Sequence, residues 1–262
     1  MTDAVAPDTG VAGPRRSARI VVGLAGLAGL LGVWAAVAAG LPDLALPGPL
    51  RTATPVVELG RSGELVEQLG RTLLRTVLGS AFAVVIGVGA GVMCGLSTII
   101  DEAVRPARVL FAGIPPVVTV VIAMIWLGPG GPVVVIAVAT AMFPQTMLAA
   151  REATRGADRD LLEVGTVFGV PLRWRLRHLV LPATAPPVLA ALTATLSNAL
   201  RLVMMEELLA APDGSGAGIA TPRTYLDTPT VFAWAVVAVA FALTVDVVLF
   251  GPVRRRAIGW ST

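Results

Sequence analysis

Few side chains in this 262-residue sequence are equipped for covalent chemistry, and those few do not converge. Glu206 and Glu207 are adjacent acids, but neighbouring helical residues point about 100° apart, and no histidine, cysteine or metal-ligand set accompanies them. At the outer end of an apolar span they fit the lining of an exit route or a cap on the following loop. His178, the one histidine, stands among arginines, where a solvated or partner-facing role outweighs catalysis. Cys94 is the one cysteine, which excludes an internal disulfide and a cysteine metal cluster. Its apolar surroundings suit packing. The run Asp213-Gly214-Ser215-Gly216-Ala217-Gly218 looks like a phosphate cradle only superficially, since it follows no strand, and it reads as a flexible external lid. No GxxxxGK[ST] loop occurs, and the chain has no lysine to serve one. A membrane-embedded enzyme would need convergent groups at one depth, and they are missing.

The elements that carry these residues are set by composition. At 55% hydrophobic and 14% charged, the chain is a membrane protein rather than a soluble domain. Its formal charge of +3 does not indicate nucleic acid, because the arginines are spread between apolar blocks without aromatic interleaving. Residues 1–19 are polar and Pro/Gly-bearing at first, which predicts a disordered terminus. The apolar run 20–40 is longer than the core of an export signal, so it predicts a first transmembrane helix. A Pro-rich external loop at 41–64 follows, and a largely apolar core at 65–252 carries five more spans, near 71–97, 107–127, 132–150, 184–210 and 230–252. Glycines 79, 87, 89, 91 and 95 pepper the second span, where small residues let helices approach closely in lipid. Arg71 and Arg75 at its outer end are placed to snorkel to headgroups. Ile114-Pro115-Pro116 breaks the third span and Pro144 interrupts the fourth. The fold class is therefore all-α, with about six transmembrane helices.

The arginines orient these spans. Placing the N-terminus, the 98–108 turn, the 151–182 loop and the C-terminal tail 253–262 on one side gathers most of them there. The positive-inside rule makes that side the cytoplasm. Within the cytoplasmic loop, Asp160 reads as a helix N-cap, with Glu163 three residues on. Leu161, Gly165 and Phe168 follow as a narrow stripe, and Gly169 caps the helix end. Pro171 starts a second short helix that runs to Leu181-Pro182.

The order Glu163, Gly169 and Leu179-Val180-Leu181-Pro182 resembles the EAA loop of ABC-importer permeases, with six residues from Glu163 to Gly169 and thirteen on to Pro182. Val164 and Gly165 replace the two alanines, and Gly165 costs the helix up to about 1 kcal/mol relative to Ala. Further elements, among them Pro106, Ile114-Pro115-Pro116, Trp126-Leu127-Gly128, Phe143-Pro144 and Asp246, look like the nitrate/sulfonate/taurine branch. The resemblance covers about Leu65 to the C-terminus. It implies the type I (MetI-like) importer permease fold in a bacterial plasma membrane, with both termini cytoplasmic. Implied partners are two ATPase subunits, a second permease subunit (identical or related) and an external substrate-binding protein. ATP and Mg would be bound by the partner, so the chain itself needs no cofactor. Asp160, Leu161, Glu163, Gly165, Phe168, Gly169 and Pro182 would couple it to the ATPase. Substrates of the branch are small anions such as sulfonates, taurine and nitrate, or vitamin precursors. A stand-alone secondary transporter is the alternative, but it would show internal repeats, and none is visible.

Arg201 is the charge that the resemblance does not supply. A charge at mid-span costs about 2.5–3.5 kcal/mol on insertion scales and so marks a functional position. It shares a helix face with Thr193 and Ser197, with Asn198 one step round. This polar stripe is expected to line a translocation path that ends at Glu206 and Glu207. The structural alternative pairs Arg201 with one of those acids on a second subunit. Asp246, placed nearer the inner surface, is expected to lie too deep to reach it and to pair with a cytoplasmic arginine.

Overall fold

The computed structural model describes residues 16–156 and 181–252, together with Val170, Pro171, Trp174, Arg177 and His178. Among them the regular elements are all helical. In chain order they are α1 (Arg16–Ala39), α2 (Pro49–Ser62), α3 (Glu64–Leu96), α4 (Thr98–Gly113), α5 (Pro116–Leu127), α6 (Gly131–Gly156), α7 (Leu181–Ala210), α8 (Ser215–Thr224) and α9 (Thr228–Val245). A π-helical turn, Asp246–Phe250, extends α9. Among the described residues, Val21–Ala39, Glu64–Leu96, Gly131–Gly156 and Thr228–Val248 are long and apolar enough to cross a membrane, and α4 with α5 makes a further, bent candidate. At 30 residues, α7 also exceeds the roughly 20 that a crossing requires.

The bundle is built on the pairing of α3 with α6, which run parallel in one register. A Cβ on Gly79 would lie 2.9 Å from Val138 Cγ1, and one on Gly87 would lie 2.9 Å from Thr146 Cβ. At Gly91 the neighbour is Ala150 Cβ (2.7 Å) and at Gly95 it is Thr154 Cγ2 (2.7 Å). The glycines thus let two backbones come together where van der Waals packing is the main attraction available in lipid. Thr146 Oγ1 adds a hydrogen bond across the pair to the Ala83 carbonyl, 2.9 Å. Gly89, on another face, meets nothing within 4 Å. Against this pair α5 and α7 close a core of Ala83, Val120, Ala123, Val134, Ala137 and Val138 with Ala199 and Val203.

The third span is broken where the prolines predict. α4 ends at Gly113, Pro116 takes the first position of α5, and the two axes differ by 95°. Three expectations change. Residues 49–62 of the expected external loop form α2, started by Pro49 and stopped by Gly63 in the left-handed conformation (φ 80°). The expected charged turn at 98–108 belongs to α4, whose Ser97 N-cap accepts from Ile100 N. The expected flexible lid is instead a buried helix start: Ser215, Gly216 and Ala217 are all buried at the head of α8. α1 lies largely apart from the rest, touching α9 through Trp34 and Phe232, whose rings are 6.5 Å apart.

Candidate functional site

Charge collects at the two ends of the α3–α6 pair. From Arg75 to the C-terminus of α3 is about 30 Å at 1.5 Å per residue, the thickness of a bilayer core. At one end, Arg75 is almost fully buried. Its guanidinium donates to Glu207 Oε1 (2.7 Å), to the Asp213 carbonyl (2.8 Å) and to the Asp213 carboxylate. Glu207 also accepts from Thr72 Oγ1 (2.7 Å) and Gly216 N (3.2 Å). Ser215 N donates to Thr72 Oγ1 (2.9 Å), Gly214 N donates to Gln68, and Arg71 reaches both Asp213 and Glu67. The α7–α8 connection is thereby fastened to α3. Gly214 must be glycine here, with φ 102° and its Cα packed on the Glu207 carboxylate.

This arrangement corrects the reading of Arg75 as a snorkelling residue: it is turned inward to a buried carboxylate. Glu207 and Glu206 are fully buried, so neither faces open space along this chain as a lining residue would. Glu206 sits between the turns that bring Val203 and Ala210 into the apolar core, and among the described residues neither of its carboxyl oxygens has a hydrogen-bond partner.

At the opposite end, Asp101 is buried beneath three arginines. Arg151 grips both carboxylate oxygens (Nε to Oδ1 and Nη2 to Oδ2, each 2.6 Å), Arg108 donates to Oδ1 at 2.9 Å and Arg155 to Oδ2 at 2.9 Å. Bidentate Arg–carboxylate pairing of this kind is both strong and directional. Neither cluster was anticipated. The available signal was depth: in each cluster the opposite charges lie at the matching ends of neighbouring spans.

Between the two ends lies the face of α7 singled out by the polar stripe. Glu207 marks one end, so Arg201 lies about 9 Å and Ser197 about 15 Å farther into the bundle at 1.5 Å per residue. Asn198 and Arg201 are exposed, as is Met205 one turn on. Arg201 makes no ion pair among the described residues. Asp246 accepts a hydrogen bond from Ser197 Oγ, one turn from Arg201. It therefore lies at the depth of the stripe and meets a serine, where a cytoplasmic arginine had been expected. Thr193 lies on the same helix, and Pro182 is in its first turn. Asp160, Leu161, Glu163, Gly165, Phe168 and Gly169 fall outside the described residues. His178 stacks on Trp174, ring centroids 4.6 Å apart, and is exposed.

Known proteins share this framework. Solved structures similar in fold include an inward-facing MetNI methionine ABC transporter (TM-score 0.64, 19% identity, 74% of this chain and 95% of that one). A second is an amino acid ABC transporter crystallised with histidines (TM-score 0.61, 18% identity, 76% and 97%). In sequence, the chain is 27% identical over 210 residues to a probable ABC transporter permease protein of Brucella melitensis (80% of this chain, 85% of the relative). It is 25% identical over 251 residues to the taurine transport system permease protein TauC of Escherichia coli (93% and 91%). The putative aliphatic sulfonates transport permease protein SsuC of Bacillus subtilis matches at 25% over 216 residues (82% and 78%). The family model for the binding-protein-dependent transport system inner membrane component matches residues 83–254, which take in both faces of the core, the Asp101 cluster, the polar stripe and the segment between α6 and α7. The chain belongs to that family, as a permease subunit of an ABC importer.

Proposed function

We propose that this permease carries a small organic or inorganic anion, of the sulfonate, taurine or nitrate kind, along the α7 face that bears Asn198 and Arg201. The observation that carries the reading is Arg201 itself: an exposed guanidinium on a membrane-spanning helix, without an ion-pair partner among the described residues. A fixed cation there offers an anion a bidentate partner in a medium of low dielectric. Asn198 supplies hydrogen-bonding groups beside it, and Ser197 lies one turn from Arg201 on the same helix. The relatives named for taurine and for aliphatic sulfonates support the substrate class. Because Glu207 is held by Arg75 of its own chain, pairing of Arg201 with that acid on a second subunit is disfavoured.

Transport would be driven in trans. The segment 158–182, with Glu163 and Gly169 at the spacing of the EAA loop, is the docking element for one of two cytoplasmic ATPase subunits. Two permease subunits and an external binding protein complete the complex. The Asp101 end is cytoplasmic, as the arginine distribution argues, and the Arg75 end is external.

The test is reconstitution with its ATPase and binding-protein partners, and uptake of labelled taurine, an alkanesulfonate or nitrate. The expected result is uptake of one of these anions, lost in Arg201→Gln although the complex still assembles. Unchanged uptake in Arg201→Gln would refute the anion path.

A further inference from the structure

Asp101 ties α4, the helix that leads into the break in the third span, to the end of α6. Two of its arginines, Arg151 and Arg155, belong to the last two turns of α6, immediately before the segment 158–182. The third, Arg108, lies on α4 two turns beyond Asp101 itself. All four donor contacts end on the two oxygens of one buried carboxylate, so α4 and the end of α6 share a single ionic tie. Below it the packing leaves little slack: a Cβ on Gly95 would fall 2.7 Å from Thr154 Cγ2, and Thr154 is itself buried. Past Gly113 the chain turns through 95° into α5, whose Val120 and Ala123 pack in the same core as Ala199 and Val203 of α7, the helix of Arg201. The chain of contacts runs from the end of α6, through Asp101, to α4, across the break to α5, and on to α7.

We infer that Asp101 is a positioning residue for coupling, transmitting displacement of the 158–182 segment to α4 and through the proline break to the core beside the polar stripe. This rests on the reading of 158–182 as the ATPase-docking element. Without the carboxylate, three guanidinium groups would face one another, and α4 would part from α6 at the point where motion has to pass between them. Loss of the tie would then lower the number of substrate molecules moved per ATP hydrolysed while leaving docking intact.

The experiment uses the full complex in proteoliposomes, comparing wild type, Asp101→Glu and Asp101→Asn for ATPase retained on purification, ATP hydrolysis stimulated by loaded binding protein, and uptake. In Asp101→Asn the retained ATPase should equal wild type while uptake per ATP falls about fivefold or more, the scale of a typical coupling free energy. Asp101→Glu should restore the ratio at least in part. A purely structural role would lower uptake and hydrolysis together and leave their ratio unmoved, which would overturn the inference. Should Asp101→Asn not accumulate in the membrane, Arg155→Gln removes one of the two contacts to Oδ2 and should lower the ratio to a smaller extent; an unchanged ratio there overturns it equally. If the wild-type chain retains no ATPase, the docking reading fails instead, and the two failures are distinct.

Discussion

Arg75 and Glu207 meet at 2.7 Å across α3 and α7, each buried and each surrounded by further hydrogen bonds. A buried ion pair in this setting is costly to half-remove, by about 3–5 kcal/mol, because the surviving charge is left unpaired. Arg75→Met or Glu207→Met alone should therefore lower the melting temperature of the purified permease in detergent markedly. The double variant should recover most of the loss. Additive losses in the double variant would show that the pair does not act as a unit.

The glycine register makes a second prediction. Gly91→Leu should abolish accumulation in the membrane, since even a Cβ there would lie 2.7 Å from Ala150 Cβ. Gly89→Leu, on the open face, should accumulate as wild type. Membrane yield by immunoblot distinguishes them, and equal yields would contradict the close α3–α6 contact.

Orientation can be read by thiol labelling, because Cys94 is buried and silent. Tyr225, 78% exposed just after α8, is a good reporter position, whereas Ser215 is fully buried and would not label from either side. Tyr225→Cys should react with an impermeant maleimide added outside intact cells, and Arg105→Cys at the other end should react only after permeabilisation. The opposite pattern would invert the proposed topology.

Coupling through the loop is tested separately by Glu163→Ala and Gly169→Val. Both should insert normally but lose uptake and stimulated ATP hydrolysis together. Normal uptake in both would remove 158–182 from the docking role.

Much of this fold was legible in the chain because lipid imposes few solutions. Long apolar runs, the Ile114-Pro115-Pro116 break and the small-residue face of the second span all translate directly into α3, the α4–α5 bend and the α3–α6 contact. The charged residues were harder to read. Arg75 beside Arg71 looks like an interfacial pair until the partner helix is known, since snorkelling and inward pairing require the same residue at the same depth. Asp101 and Arg151 are fifty positions apart, and only the parallel register of α3 and α6 brings them together. The small polar residues after Asp213 suggested a loose loop, yet their lack of bulk is what admits the α8 start against Thr72 and Glu207.

The interlocking of α3 and α6 also limits how access can alternate. Two helices keyed together at Gly79, Gly87, Gly91 and Gly95 have no room to slide or twist past one another. They behave as a single shaft, so any motion that engages either helix carries both, while the 95° joint between α4 and α5 is a separate place to flex.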